Sequence, residues 1–190
     1  MIVRRIGGGP LDSLSYLVTD GERSVLIDAG PRIDLDVELV LLTHAHFDHV
    51  ANLEPLRKRG AKAYMHPMDR ELLASFWSFG KFFGVEGPVP QVDEDLNEGV
   101  LDLGWVRIEV LHTPGHTPGS CCFLIDGILF TGDTLFKGTF GRTDLPGGDR
   151  RDMARSLRRI LSLSPDILVL PGHGEATTIG DERELLSLLD

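Results

Sequence analysis

Hydrophobic positions fall along this chain in short runs, separated by turns rich in glycine, proline and aspartate. Runs of that length predict strands joined by turns, with helices between some of them. In the first third the strand-like runs are Met1–Ile6, Leu14–Thr19, Val25–Asp28 and Leu39–Thr43. Gly7-Gly8-Gly9-Pro10 closes the first run, and Asp20-Gly21 joins the second to the third as a predicted β-hairpin. Leu39–Thr43 begins with consecutive apolar residues, the pattern of a strand buried on both faces. Leu53–Arg59 predicts a short helix, Ala63–His66 a strand, and Met68–Phe76 a helix opened by Pro67. Gly80–Asp95 reads as an irregular surface excursion, either a lid or a dimer contact, because Gly84, Gly87, Pro88 and Pro90 interrupt it beside Phe82 and Phe83.

The second half repeats the rhythm. Val106–Leu111, Ser120–Ile125 and Ile128–Thr131 predict strands, the last two joined by Asp126-Gly127. Asp149 is placed to cap a helix whose Met153, Leu157, Ile160 and Leu161 form one apolar face. Ile167–Leu170 predicts another buried strand, and Thr178 the cap of a last helix through Leu189. Two strand-rich halves, each finished by helices, predict an α/β chain of two sheets packed face to face with helices outside, in a single domain over 1–190.

Composition narrows the function classes. A chain of 190 residues, 42% hydrophobic and 25% charged, fits one ordinary globular domain. No apolar run approaches the ~18 residues of a membrane span. A formal charge of −10 disfavours a nucleic-acid partner, since phosphate contacts come mainly from Lys and Arg. Cys121 and Cys122 are adjacent, and neighbours bridge only under strain. With no signal-peptide pattern at the N-terminus, a reducing cytoplasmic location is expected, and both thiols are expected as buried strand residues. Asn52, Gln91 and Asn97 are the only side-chain amides, and fifteen arginines stand against four lysines. That bias predicts a thermophile protein with a melting midpoint above about 60 °C, which a calorimetric scan checks.

Histidine and aspartate collect where predicted strands end. In Thr43-His44-Ala45-His46-Phe47-Asp48-His49, extended backbone points His44 and His46 to one place, and a turn after Phe47 brings Asp48 and His49 to an adjacent one. Imidazole with carboxylate is a ligand set for zinc, iron or manganese. Three further strand ends repeat the placement: His116 after Leu111, Asp133 after Phe130, and His173 after Leu170. Glycines and prolines make tight turns at all three. His66, before Pro67, reads as structural, whereas His112 fits either a hydrogen bond to a ligand or a packed turn.

The ordered pattern Thr43–His49, His116, Asp133 and His173 resembles the metallo-β-lactamase superfamily over nearly the whole chain. The resemblance implies a four-layer αββα sandwich with the metal site at one edge of the two sheets. It also implies two divalent metals, zinc foremost and iron or manganese otherwise. His44, His46 and His116 would hold the first and Asp48, His49 and His173 the second, with Asp133 bridging them. His112–Thr117, Thr131–Phe136 and Gly141-Arg142-Thr143-Asp144 look most like the glyoxalase II (hydroxyacylglutathione hydrolase) branch and its persulfide dioxygenase relatives. Gly141-Arg142 matches the glycine–lysine pair by which that branch grips glutathione, so Arg142, with Lys137 nearby, is the candidate substrate contact. Asp144 replaces the branch's aromatic residue, and no C-terminal helical glutathione-binding domain is expected after His173. Arg142 can equally pair with Asp144 or Asp149 and hold the loop.

The reaction expected is hydrolysis of a small-molecule thiol ester by a metal-bound hydroxide, with Asp48 orienting the nucleophile and taking its proton. The alternative is a mononuclear-iron persulfide dioxygenase using His44, His116 and Asp133 as two histidines and one carboxylate. A non-catalytic metal-binding protein ranks third, because ligands drawn from several loops make an open site. β-Lactam hydrolysis ranks low, because Asp133 stands where such enzymes commonly place a cysteine. The acyl group, the carrier thiol and the oligomeric state are left open.

Overall fold

Residues 1–188 are described by a computed structural model, in which the chain divides into two compact units, Met1–Leu96 and Asn97–Asp190. The first unit is built on a six-stranded mixed sheet. Its strands are β1 (Ile2–Ile6), β2 (Ser15–Thr19), β3 (Ser24–Ile27), β4 (Leu39–Leu41), β5 (Lys62–Met65) and β6 (Glu94–Asp95), paired in that order. β1, β2 and β3 pair antiparallel, and β3 to β6 pair parallel. The predicted hairpin is present: Tyr16 pairs with Ile27, and Asp20 turns the chain by accepting from the backbone N–H groups of Glu22 and Arg23. Helices α1 (Phe47–Val50), α2 (Leu53–Lys58) and α3 (Pro67–Gly80) cover one face of this sheet. There Leu17, Leu26, Val40 and Met65 pack with Phe47, Leu53, Leu56, Leu73 and Trp77. Val18, Val25, Ile27 and Leu41, at the alternate positions, are buried as well. Burial of both faces explains why these strands read as continuous apolar runs.

The second unit has a sheet of β7 (Gly99–Asp102), β8 (Arg107–His112), β9 (Cys121–Ile125), β10 (Ile128–Gly132), β13 (Leu168–Pro171) and β14 (Thr177–Thr178), in the order β14-β13-β10-β9-β8-β7. Only β10 and β13 run parallel. A small hairpin, β11 (Leu135–Phe136) and β12 (Thr139–Phe140), stands apart. Asp149 accepts from the N–H groups of Arg151 and Asp152 and so caps α4 (Arg150–Leu161). The predicted stripe of Met153, Leu157, Ile160 and Leu161 is fully buried against Leu111, Cys122, Leu129 and Val169. Thr178 caps α5 (Ile179–Glu182), which continues as a 3-10 helix over Arg183–Leu188. Leu189 lies outside the described residues.

Several boundaries differ from the sequence expectation. α3 runs on to Gly80, where a Cβ would collide with the Phe47 ring, and a 3-10 turn over Lys81–Phe83 follows. The predicted irregular excursion therefore begins in helix and ends in β6, and only its middle is irregular. β6, β11, β12 and β14 have two residues each, too few to carry a period. Leu168 is exposed although its strand was expected to be buried; alternation there buries Val169 instead. Both cysteines are buried on β9, as expected, and burial pushes the Cys122 thiol up to about 11, so it is not a thiolate at neutral pH. No helix of the described residues is long and apolar enough to cross a membrane.

Candidate metal centre

In the first unit the chain leaves β4, bends at Thr43, and enters α1 with His46 as its extended N-cap. Asp48 and His49 thus sit in a helical turn rather than a loop turn. The three imidazoles cluster, with the His44 ring centroid 4.9 Å from His46 and 4.2 Å from His49. His49 Nε2 lies 3.6 Å from Asp48 Oδ2. In the second unit, Asp133 follows β10 and its Oδ2 faces two histidines, His116 Nε2 at 3.4 Å and His173 Nε2 at 3.7 Å. All seven sequence candidates belong to His/Asp groups that could hold a metal ion. His44, Asp48, His49 and His116 are buried, and His46, Asp133 and His173 are half-buried.

Hydrogen bonding sets the tautomers. Asp28 Oδ1 accepts from the Thr43 N–H, and Asp28 Oδ2 accepts from Thr43 Oγ1 and from His49 Nδ1, all at 2.8 Å. The His49 proton is therefore on Nδ1 and the lone pair on Nε2. Since Thr43 Oγ1 donates to Asp28, it accepts from His44 Nδ1 at 3.0 Å, and the His44 lone pair is also on Nε2. His116 Nδ1 donates to the Arg142 carbonyl at 2.8 Å, with the same result. Three histidines thus present Nε2 as a ligand atom. The separations of 3.4–3.7 Å are too long for hydrogen bonds. Two ligands at about 2.1 Å from one tetrahedral ion would lie about 3.4 Å apart, so the donor set fits a divalent metal.

Support comes from residues that the motif alone does not reveal. Asp28 is buried in the left-handed region with φ 59, a conformation its short polar side chain tolerates. Asp69, on α3, is fully buried and accepts from the Ala45 N–H between His44 and His46. Ser13 Oγ donates to the Asp48 carbonyl, and a Cβ on Gly30 would overlap that same carbonyl oxygen. Asp28 carried a readable signal, since it too is an acid where a strand ends; Asp69 and Gly30 carried none. Gly141 lies close against the second unit's candidate ligands: a Cβ there would overlap the Asp133 carbonyl oxygen and lie 3.2 Å from His116 Nδ1. Gly141→Ala is expected to lower the melting midpoint by roughly 3–10 °C, the cost of overpacking, and to weaken metal binding. Calorimetry with a chelator titration checks both.

Four other sequence candidates find partners. His66 caps α3 by accepting from the Met68 N–H, a structural role. His112 Nε2 donates to the Pro118 carbonyl at 2.8 Å, which is the packed-turn reading. Lys137 pairs with Glu175. Arg142 grips Asp144 with two bonds of 2.8 Å, on an exposed loop.

Two mixed sheets whose strand ends carry clustered histidines and aspartates able to hold a divalent metal define an α/β metal-dependent hydrolase. The chain belongs to the metallo-β-lactamase superfamily, which it matches over residues 8–173. It is 38% identical over 175 residues to the hydroxyacylglutathione hydrolase GloC of Haemophilus influenzae, covering 86% of this chain and 81% of that one. Among solved structures it resembles the di-iron-bound form of TTHA1623, with 39% identity, a TM-score of 0.86, and 94% and 96% of the two chains covered. It also resembles the B3 metallo-β-lactamase BLEG-1, with 33% identity, a TM-score of 0.87 and 99% of each chain covered.

Proposed function

We propose that this hydrolase cleaves a thioester of a small thiol at a centre of two divalent metals. His44, His46 and His116 would hold the first metal, Asp48, His49 and His173 the second, and Asp133 both. The carrying observation is that one oxygen, Asp133 Oδ2, faces two histidines from different loops, the placement of a bridging carboxylate. Likeness to GloC supports the thioester, and likeness to a di-iron-bound structure supports a pair of metals. When bound, such a pair supplies a Lewis acid for a carbonyl and a nucleophilic water near neutral pH.

The residues then have separate tasks. Asp48 accepts the proton of the attacking water at a carboxylate oxygen and orients that water. Asp28 and Thr43 keep the His49 and His44 protons on Nδ1. No side chain need protonate the sulfur, because a thiolate leaves unaided close to neutral pH. Arg142, with Lys137 nearby, is assigned to a carboxylate of the carrier thiol. The exposed Arg142–Asp144 pair contributes little to stability, so Arg142 can exchange Asp144 for substrate. Arg142 holds the Asp144 carboxyl down at about 2, so this competition is constant across the assay range. Arg142→Ala is expected to raise KM for a glutathione thioester about tenfold with kcat unchanged, the signature of lost uniform binding.

The test is thiol release from S-lactoylglutathione by metal-replete protein. A kcat/KM of about 10⁴ M⁻¹s⁻¹ or more supports the reading. Background rates, together with oxygen uptake on glutathione persulfide, would replace it with the mononuclear-iron dioxygenase. Turnover confined to a β-lactam would replace it with the activity named for BLEG-1.

A further inference from the structure

An aromatic strip runs outward from the first unit's ligand row. His46 meets the edge of Phe76 on α3, with ring centroids 4.5 Å apart. One turn further along α3 comes Phe79, which lies 5.5 Å from Phe83 and 6.1 Å from Phe82. Phe83 returns to stack on Phe47, the residue between His46 and Asp48, at 5.1 Å and 19°. The strip is thus tied at both ends to the segment that carries the proposed ligands. Phe76 and Phe47 are buried, whereas Phe79, Phe82 and Phe83 are 52%, 85% and 49% exposed.

Leaving three phenyl rings in water costs free energy, and single exposed apolar residues are common whereas contiguous ones mark contact sites. The exposed area is less than two whole phenylalanine side chains, about 300–450 Å². A stable protein partner needs about 800 Å² per side, so the strip is too small for a dimer interface by itself. It has the size and aromatic lining of a subsite for part of a small molecule. Its chemistry says which part. A carrier thiol such as glutathione is charged and hydrogen-bonding along its length, and an all-phenyl surface leaves its polar groups without partners. The acyl group is the portion of a thioester that can be wholly apolar.

We infer that Phe79, Phe82 and Phe83 form an acyl subsite, and that the substrate is a thioester of an apolar aryl or medium-chain acid rather than of lactate. This rests on the thioester reading and specifies its acyl side. Phe82, the most exposed of the three, and Phe79, whose ring centroid lies 6.3 Å from that of Phe47, are the residues to change; Phe83 is kept because it stacks on Phe47 at 5.1 Å and its loss would disturb the ligand turn.

Two measurements keep this inference separable from the reading beneath it. The first is calorimetric binding of two thioethers that cannot be hydrolysed, S-methylglutathione and S-hexylglutathione, to metal-replete wild-type protein and to Phe79→Ala/Phe82→Ala. Wild type should bind the hexyl compound at least tenfold more tightly than the methyl one, and the double variant should lose that difference, as expected for apolar discrimination. Hexyl binding no tighter than methyl in wild type, or a preference the double variant keeps, overturns the subsite. The second compares turnover of S-mandeloylglutathione and S-lactoylglutathione. A wild-type preference for mandeloyl over lactoyl of about tenfold, lost in the double variant, supports the subsite. Equal turnover of the two esters by wild type overturns the subsite and leaves the thioester hydrolase standing. Absence of any turnover overturns the hydrolase reading, while the binding result still decides whether apolar groups dock on the strip.

Discussion

Asp133→Ala protein is expected to fold and to lose metal-dependent hydrolysis by on the order of 10³-fold or more. Asp133 follows β10, and its Oδ2 is the atom that two histidine nitrogens approach to within 3.4 and 3.7 Å. Removing it takes away the carboxylate that faces both His116 and His173, so neither proposed metal keeps its full ligand set. The strand itself does not depend on the side chain: β10 is held by β9 and β13, and Leu129 and Phe130 are fully buried. Metal content by elemental analysis and a melting curve therefore separate a lost site from a lost fold. A variant that keeps two metals and wild-type turnover would remove Asp133 from the centre.

Asp28→Asn tests the tautomer argument, and its effect should appear first in metal affinity. Asparagine tolerates the left-handed backbone at φ 59, so the turn after β3 is retained. The Thr43 N–H can still donate to the amide oxygen. The amide nitrogen then replaces the oxygen that accepts from His49 Nδ1, now donor against donor. The imidazole escapes by moving its proton to Nε2, which removes the lone pair meant for a metal. Binding of the proposed second metal should weaken by about 10- to 100-fold, the usual cost of losing an outer partner of a histidine ligand. Stability should fall by about 1–3 kcal/mol, because a buried network is left incompletely satisfied. Competition with a chelating dye reads the affinity, and denaturant titration of the metal-free protein reads the stability. Unchanged affinity would mean that Asp28 serves the turn alone.

Gly141→Ala and Arg142→Ala stand on either side of these in kind. The first perturbs ligands by pushing on backbone, whereas the second leaves the metal centre alone and changes only substrate capture. Their contrast shows how closely the loop after Asp133 is shared between the two tasks: Gly141 abuts the Asp133 carbonyl, while the next residue offers its carbonyl to His116 and its guanidinium to Asp144.

The amino-acid sequence by itself determined the α/β class, the places of the longer strands, the amphipathic helix α4 and its Asp149 cap. Each rests on a local cause: side-chain period, turn residues, or a cap within four residues of what it caps. The histidines and aspartates at strand ends were legible as candidate ligands for the same reason, because their spacing is local and dense. Only the tertiary structure decided which nitrogen of each histidine carries the proton, since Asp28 is twenty-one residues from His49, and Arg142 twenty-six from His116. It alone showed Asp69 under Ala45, Gly30 against Asp48 and Gly141 against Asp133, contacts between segments that no period relates. It also showed that the Arg142 guanidinium meets Asp144 and not Asp149, because an ion pair depends on where two side chains meet rather than on their distance along the chain. The two-residue strands belong with these. They form because a neighbouring strand offers partners, and a pair of residues has no pattern of its own to announce it.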